Sequence, residues 1–237
     1  MRFLLFSFLL VLSMGSFAQK EKPKNYRKFD ERTFHFGFML GGNSSGYSIY
    51  QKFDAYQQFG LKSMTVRSQP GAQLGILSTM KIGTPMVRLR FMPSLSFQER
   101  VINQVFVDPL DMEKEILNEE RINATSLDFP LMFQFRTLRL NNFAAYFLVG
   151  GQYSLDLQSQ QDATQKFDDP FIKMKKHDFH GQVGVGVEFF APFFKFGFEV
   201  KYSHALFNGL IQDNTRSSIP IDKIYNRGWI ISLIFEG

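Results

Sequence analysis

From Phe34 to Phe235 the chain repeats one pattern, with large apolar residues at every second position and small or polar residues between them. A period of two puts the apolar set on one face of an extended strand and the remainder on the other, so these segments predict strands. Phe34, Phe36, Phe38 and Leu40 share a face in the first segment, and Leu74, Ile76 and Met80 in a second spanning Gly71 to Ile82. The third sets Val87, Leu89, Phe91, Leu95 and Phe97 against Arg88, Arg90, Ser94, Ser96 and Gln98. The fourth sets Leu127, Phe129, Leu131, Phe133 and Phe135 against Ser126, Asp128, Gln134 and Arg136. The fifth aligns Phe143, Ala145, Phe147, Val149, Tyr153 and Leu155. The sixth opposes Phe179, Val183, Val185, Val187 and Phe189 to His180, Gln182 and Glu188. The seventh opposes Phe194, Phe196, Phe198, Val200 and Tyr202 to Lys195, Glu199, Lys201 and Ser203, and the eighth carries Trp229, Ile231, Leu233 and Phe235.

The connections alternate in length. Gly83-Thr84-Pro85, Thr137 to Asn142 and Ala191-Pro192 are short, whereas Asn43 to Pro70, Glu99 to Asn123, Gln158 to His177 and Phe207 to Asn226 are long. Short turns at one end and long loops at the other predict an all-β fold, an eight-stranded antiparallel transmembrane barrel with periplasmic turns and extracellular loops.

A soluble barrel would bury the 29 Phe and turn the polar face to water. Here the polar face carries charges of both signs: Arg88, Arg90, Arg136, Lys195 and Lys201 against Asp128, Asp156, Glu188, Glu199 and Glu236. Mixed charge suits the filled interior of a small barrel, where charges pair, and not a channel ringed by a single sign. Gly37, Gly184, Gly186, Gly197 and Ser203 leave room for the long side chains, and His35 is expected to be a hydrogen-bonded lumen residue. The apolar band then faces lipid, with Tyr153, Tyr202 and Trp229 as interface aromatics. Pro93 and Pro130 fall inside strands three and four, where proline cannot donate to a ladder, which predicts a bulge or kink at each.

Met1 to Ala18 reads as a secretory signal peptide: Arg2, an apolar run, then Ser16-Phe17-Ala18 as a small-x-small cleavage site. The run is shorter than the ~20 residues of a spanning helix. The chain therefore divides into a signal peptide over 1–18, a polar, solvated tether over 19–32 and a barrel domain over 33–237. Such a product is expected in the outer membrane, in contact with its lipid.

The absence of cysteine excludes disulfide scaffolds, thiolate metal sites and thiol nucleophiles. With 27 basic and 22 acidic residues, no nucleic-acid footprint appears. His177, Asp178 and His180 alternate in facing, and Ser203 and His204 face opposite ways, so neither group forms a metal or catalytic set within its own strand. No catalytic, cofactor-binding or metal residues are expected, and no small-molecule substrate. Two loops stand out. Tyr47, Tyr50, Phe53, Tyr56 and Phe59 make the first aromatic, a surface suited to protein docking. Asp108 and Pro109 open an acidic stretch, DPLDMEKEILNEER, that predicts a short helix.

The segments FGFMLGGN (36–43), LRFMPSLSFQER (89–100), SLDFPLMFQF (126–135), AYFLVGGQYSLDL (145–157) and FGFEVKY (196–202), with the closing Phe235-Glu236-Gly237, resemble the PorT (SprT) family. That family supplies an outer-membrane barrel component of the type IX secretion system of the Bacteroidota. The most specific segments contain Pro93 and Pro130. The resemblance covers nearly the whole mature chain. It implies a noncatalytic accessory of export for proteins with C-terminal sorting domains, needed for gliding where the organism glides, with other secretion proteins as partners. It supplies no catalytic or cofactor residues. The alternatives are a general surface barrel, acting as adhesin or stabiliser, and a small lipid-modifying barrel enzyme.

Overall fold

A computed structural model describes residues 28–107, 114–159, 172–213 and 215–237. The signal peptide and residues 19–27 of the tether lie outside these. Nine segments form the sheet: β1 (Phe34–Gln51), β2 (Leu61–Lys81), β3 (Val87–Phe91), β4 (Ser94–Val107), β5 (Glu115–Arg136), β6 (Phe143–Asp156), β7 (His177–Phe190), β8 (Lys195–Ala205) and β9 (Ile221–Glu236). β3 and β4 are two halves of one strand, pairing β2 on one side and β5 on the other. The ring closes where β1 pairs with both β2 and β9, every pairing antiparallel. Eight antiparallel strands thus form one barrel, and closure leaves no sheet edge exposed to lipid.

Alternation carries through the ring. Phe36, Ile76, Phe133, Val185 and Trp229 are exposed on the outside, while Arg88, Arg90, Gln134, Glu188 and Glu199 are buried inside. Inside, room is made by glycine: a Cβ on Gly184 would stand 2.7 Å from Cγ of Lys201, and one on Gly186 would strike the Tyr146 ring. The periplasmic turn between β2 and β3 uses Gly83 at φ 64°, the left-handed region that glycine enters without strain.

Three expectations are corrected. First, two of the four long connections, Asn43 to Pro70 and Glu99 to Asn123, are largely strand. β2 has 21 residues and β5 has 22, about twice the ~9–11 a membrane crossing needs. The surplus forms a wall above the membrane, its outer face polar at Glu115, Glu119, Arg121 and Asn123. Only Ala55–Phe59 is helical in the first loop.

Second, the helix expected in the acidic stretch is absent from its described part, since Glu115 onward belongs to β5, paired with β4 from Val107↔Glu115. Alternation of Ile116, Asn118 and Glu120 with outward Leu117, Glu119 and Arg121 outweighs helix propensity once β4 offers a ladder. Asp108 and Pro109 lie outside the described residues.

Third, Pro93 and Pro130 cause no bulge. Pairing keeps one register through both, from Phe91↔Leu131 to Ser94↔Asp128. The carbonyl of Pro93 accepts from Ile76 N (3.1 Å) and that of Pro130 from Met92 N (3.2 Å). Each proline removes only the returning bond, which interrupts the strand at Met92–Pro93 without a slip. A register shift does occur between Ser68 and Ala72 of β2, which flank Pro70 and Gly71.

Candidate functional site

The barrel's working parts are its lumen and the two ends that close it. In the periplasmic half, Arg90 of β3 is buried at the centre of three carboxylates. It pairs with Glu199, lies 2.9 Å from Glu236 and 3.9 Å from Glu188, and donates to Gln134 at 3.1 Å. Lys195 bridges Glu236 (2.7 Å) and Glu188 (3.2 Å), Arg136 reaches Glu188 at 3.6 Å, and Lys201 lies 3.5 Å from Glu199. The Tyr146 hydroxyl donates to Glu199 at 2.7 Å. Buried ion pairs offset their desolvation only when the charges are met several times, as Arg90, Lys195, Glu188, Glu199 and Glu236 are here. This knot fills the inner half of the lumen.

Below it, the end of the expected tether forms a one-turn helix, α1 (Lys28–Glu31), seated in the periplasmic mouth. Phe29 is buried between His35 and Phe190, 5.9 Å from each ring. Asp30 meets Arg136 at 2.6 Å, Arg139 at 2.7 Å and Arg88 at 3.5 Å. Burial alone would raise the Asp30 carboxyl, but hydrogen bonds from Arg139 and Arg136, with their positive charge, hold it below the ordinary range. These four residues are therefore a plug and not a solvated tether. His35 is in the lumen as expected, where it stacks on Phe29.

In the extracellular half the hydrogen bonds run mainly through neutral hydroxyls and amides. Ser126 and Ser154 donate to Asp128 at 3.0 and 2.7 Å, Gln152 donates to Ser154 at 2.6 Å, and Gln73 donates to Ser94 at 2.7 Å. The expected pairing of all interior charges is corrected here. Asp128 and Asp156 have no ion-pair partner within 4.0 Å among the described residues, because these serines and, at Asp156, the Gln158 N–H (2.9 Å) meet them instead. A polar cavity of about 70 Å³ lies alongside, lined in part by Tyr47, Arg100, Asp128, Ser154, His180 and Ser203. That is room for a few waters.

One juxtaposition there is invisible along the chain. The Ser203 hydroxyl lies 3.1 Å from Nδ1 of His180, whose Nε2 lies 3.2 Å from Asp178. The order matches a nucleophile, a base and an orienting acid. Catalysis also needs N–H groups aimed at a developing oxyanion. Ser203 sits inside β8, paired with β7 and β9, so its neighbouring backbone is committed to the ladder. The cavity also has no room for a lipid ester. Among the described residues no group of three or more His, Asp or Glu has metal-binding geometry.

The outer end is closed by loop segments folded into the raised wall. Ile172, Leu210, Ile221 and Ile224 pack with Tyr47 and Ile102. Tyr47 is thus core, not the docking surface expected of it, while Tyr50, Phe53 and Tyr56 are exposed. Glu120 accepts from Ile172 N at 2.7 Å. Burial pushes the Glu120 carboxyl up to about 7, opposed only in part by that hydrogen bond.

A family model described as an outer membrane protein beta-barrel domain matches residues 17–210. The chain belongs to this outer-membrane β-barrel family. No curated protein sequence matches it. Among solved structures it is similar to OprG of Pseudomonas aeruginosa, at 16% identity over 86% of this chain and 96% of that one, with a TM-score of 0.49. Neisserial surface protein A aligns at 8% identity over 84% and 95%, with a TM-score of 0.42. Ail, the attachment invasion locus protein of Yersinia pestis, solved with the heparin analogue sucrose octasulfate, aligns at 12% identity over 87% and 100%, with a TM-score of 0.38. Membership of that family places the barrel in the outer membrane.

Arg88, Arg90, Arg136, Glu188, Lys195, Glu199 and Lys201 all lie in the inner half, around the Arg90 knot or the Asp30 clamp, and Asp128 and Asp156 lie in the outer half. Sequence reasoning missed Asp30, Arg139 and Tyr146. Their signal was weak: Asp30 and Arg139 sit outside alternating segments, and Tyr146 is an aromatic on the polar face of β6.

Proposed function

We propose that this barrel is a noncatalytic accessory of type IX protein secretion, needed for export of proteins with C-terminal sorting domains and for gliding where the organism glides. The observation that carries the scaffold reading is the blocked lumen. With Arg90 clamped among Glu188, Glu199 and Glu236, and α1 seated beneath, no path is left for a polypeptide, so the role is that of a partner-binding scaffold and not a conduit. The assignment to secretion rests on the resemblance in LRFMPSLSFQER and SLDFPLMFQF. These segments are neighbours in space, paired through Ser94↔Asp128 and Leu95↔Leu127, and so present one continuous wall to a partner.

Deletion of the gene, followed by mass spectrometry of medium and cell surface, tests it. Proteins with C-terminal sorting domains are expected to vanish from outside and accumulate in the periplasm. Unchanged export would refute the secretion role. It would favour a surface adhesin or stabiliser instead, a reading supported by the exposed Tyr50, Phe53 and Tyr56 of the raised wall.

A further inference from the structure

Two contacts of different kind hold α1 in the periplasmic mouth. Phe29 fills a slot made by His35, Ala144 and Phe190. Asp30 accepts from Arg136 (2.6 Å) and Arg139 (2.7 Å), with Arg88 3.5 Å away. Phe190 is a floor common to both contacts. It packs on Phe29, and the guanidinium groups of Arg136 and Arg139 stand 5.6 and 3.7 Å from its ring centre. An aromatic slot beside an arginine cluster is complementary to an aromatic residue followed directly by a carboxylate.

The chain's own segment satisfies this seat incompletely. α1 is a single turn of four residues, too short to be stable as a helix without the seat. Asp30 brings one carboxylate to three guanidinium groups. Arg88 is only 1% exposed, yet its Nε and Nη1 find no hydrogen-bond acceptor among the described residues, nor does Nε of Arg136. From the lumen side, Glu188 comes within 3.6 Å of Arg136. Lys81 donates to the backbone carbonyls of Asp30 (3.0 Å) and Glu31 (3.4 Å) and not to the exposed Glu31 carboxylate. Beside α1 a cavity of about 500 Å³ runs from Lys81, Arg136 and Arg139 to Pro85, Met86 and Leu138.

We propose that the periplasmic mouth is a peptide-binding seat that the chain's own Phe29-Asp30 keeps filled, and that its partner is a periplasmic polypeptide segment with an aromatic residue followed by carboxylates. The partner's ring replaces Phe29 on Phe190, its first carboxylate replaces Asp30, and a further carboxylate meets Lys81. Departure of α1 leaves the Arg90 knot closed above it, so docking does not open the lumen. The proposal rests on the scaffold reading and gives it a partner chemistry. Peptide binding by the purified barrel is read apart from export by cells, so the two fail separately.

The test uses the mature barrel folded in detergent, with heat-modifiable mobility confirming that each variant is folded. Fluorescence anisotropy follows a labelled acidic peptide, SGFDDGS, and its neutral counterpart, SGFNNGS. Wild type should bind the acidic peptide weakly, because α1 competes for the seat. Phe29→Ala with Asp30→Asn empties the seat and should tighten binding about tenfold, as removal of a competing closed state does. In that background Arg88→Gln or Arg139→Gln should weaken binding about tenfold, the scale of one hydrogen bond between charged groups. Arg121→Gln, on the extracellular wall, should leave it unchanged. Saturating acidic peptide should also speed trypsin cleavage of wild type at Lys28 and Arg32, as α1 leaves. Equal affinity for the two peptides, no gain on emptying the seat, or cleavage indifferent to the acidic peptide would each overturn the proposal. So would full competition by inorganic phosphate at matched ionic strength, which would make this a site for a free anion.

Discussion

In the periplasmic half of the lumen one arginine meets three carboxylates; in the extracellular half Asp128 meets two serine hydroxyls and, among the described residues, no cation within 4.0 Å. Both halves satisfy buried polar atoms, by different physics. A charge knot is strong only while complete, because removing one member strands the others in low dielectric. A neutral network loses little more than the bond removed. The inner half therefore suits a permanent seal, and the outer half, with its small cavity, tolerates substitution.

The sharpest way to break this contrast is Arg90→Met. It leaves Glu188, Glu199 and Glu236 without their shared cation, at a cost of about 3–5 kcal/mol. Folded barrel, scored by heat-modifiable mobility, should be largely lost, and wild-type yield would show that the knot is not what holds the inner half. Phe133→Arg places a charge on the lipid face at a cost of ~2–4 kcal/mol. It should impair insertion into vesicles, and normal insertion would refute the facing of β5. Asp30→Asn removes the carboxylate that α1 offers to Arg136, Arg139 and Arg88, worth about 1.5–3 kcal/mol for hydrogen bonds to charged groups. The barrel should stay folded while limited trypsin digestion cuts at Lys28 or Arg32 faster than in wild type.

At the outer end, Glu120 tests whether an acid without a close cation behaves as the contrast requires. Its ordinary value is 4.5 and burial raises it to about 7 in the closed lid. The folded state holds the proton more tightly between those values, so lid stability falls as pH rises through that window and is flat above it. The protection factor of the Ile172 amide, its exchange rate corrected for the intrinsic pH dependence, should fall across the window in wild type and stay level in Glu120→Gln; matching profiles would remove Glu120 as the cause. A loss well short of that of Arg90→Met is expected from Ser154→Ala, about 1.5–3 kcal/mol for one hydrogen bond to a carboxylate, because Ser126 still donates to Asp128. A loss as large as that of Arg90→Met would mean the outer network is as unforgiving as the inner one.

Alternation read along the chain places Phe36, Phe133, Val185 and Trp229 on lipid and Arg90, Glu188, Glu199 and Lys201 inside, because a strand's facing depends only on its own period of two. The alternating loop lengths likewise give the strand count and the end that faces the periplasm. Where strands stop was less legible: the walls of β4 and β5 beyond the membrane lack an apolar stripe, so their alternation fades into what reads as loop. Which inward residues meet was not legible at all. Arg90 reaches Glu236 across 146 positions of sequence, and Ser203 finds His180 from the next strand. Asp30 finds three arginines only because the closed ring brings the ends of β3 and β5 to one mouth. Facing is a local property that the sequence determines by itself. The level at which two inward side chains stand depends on the register of every strand pair around the closed barrel, and only the tertiary structure sets that.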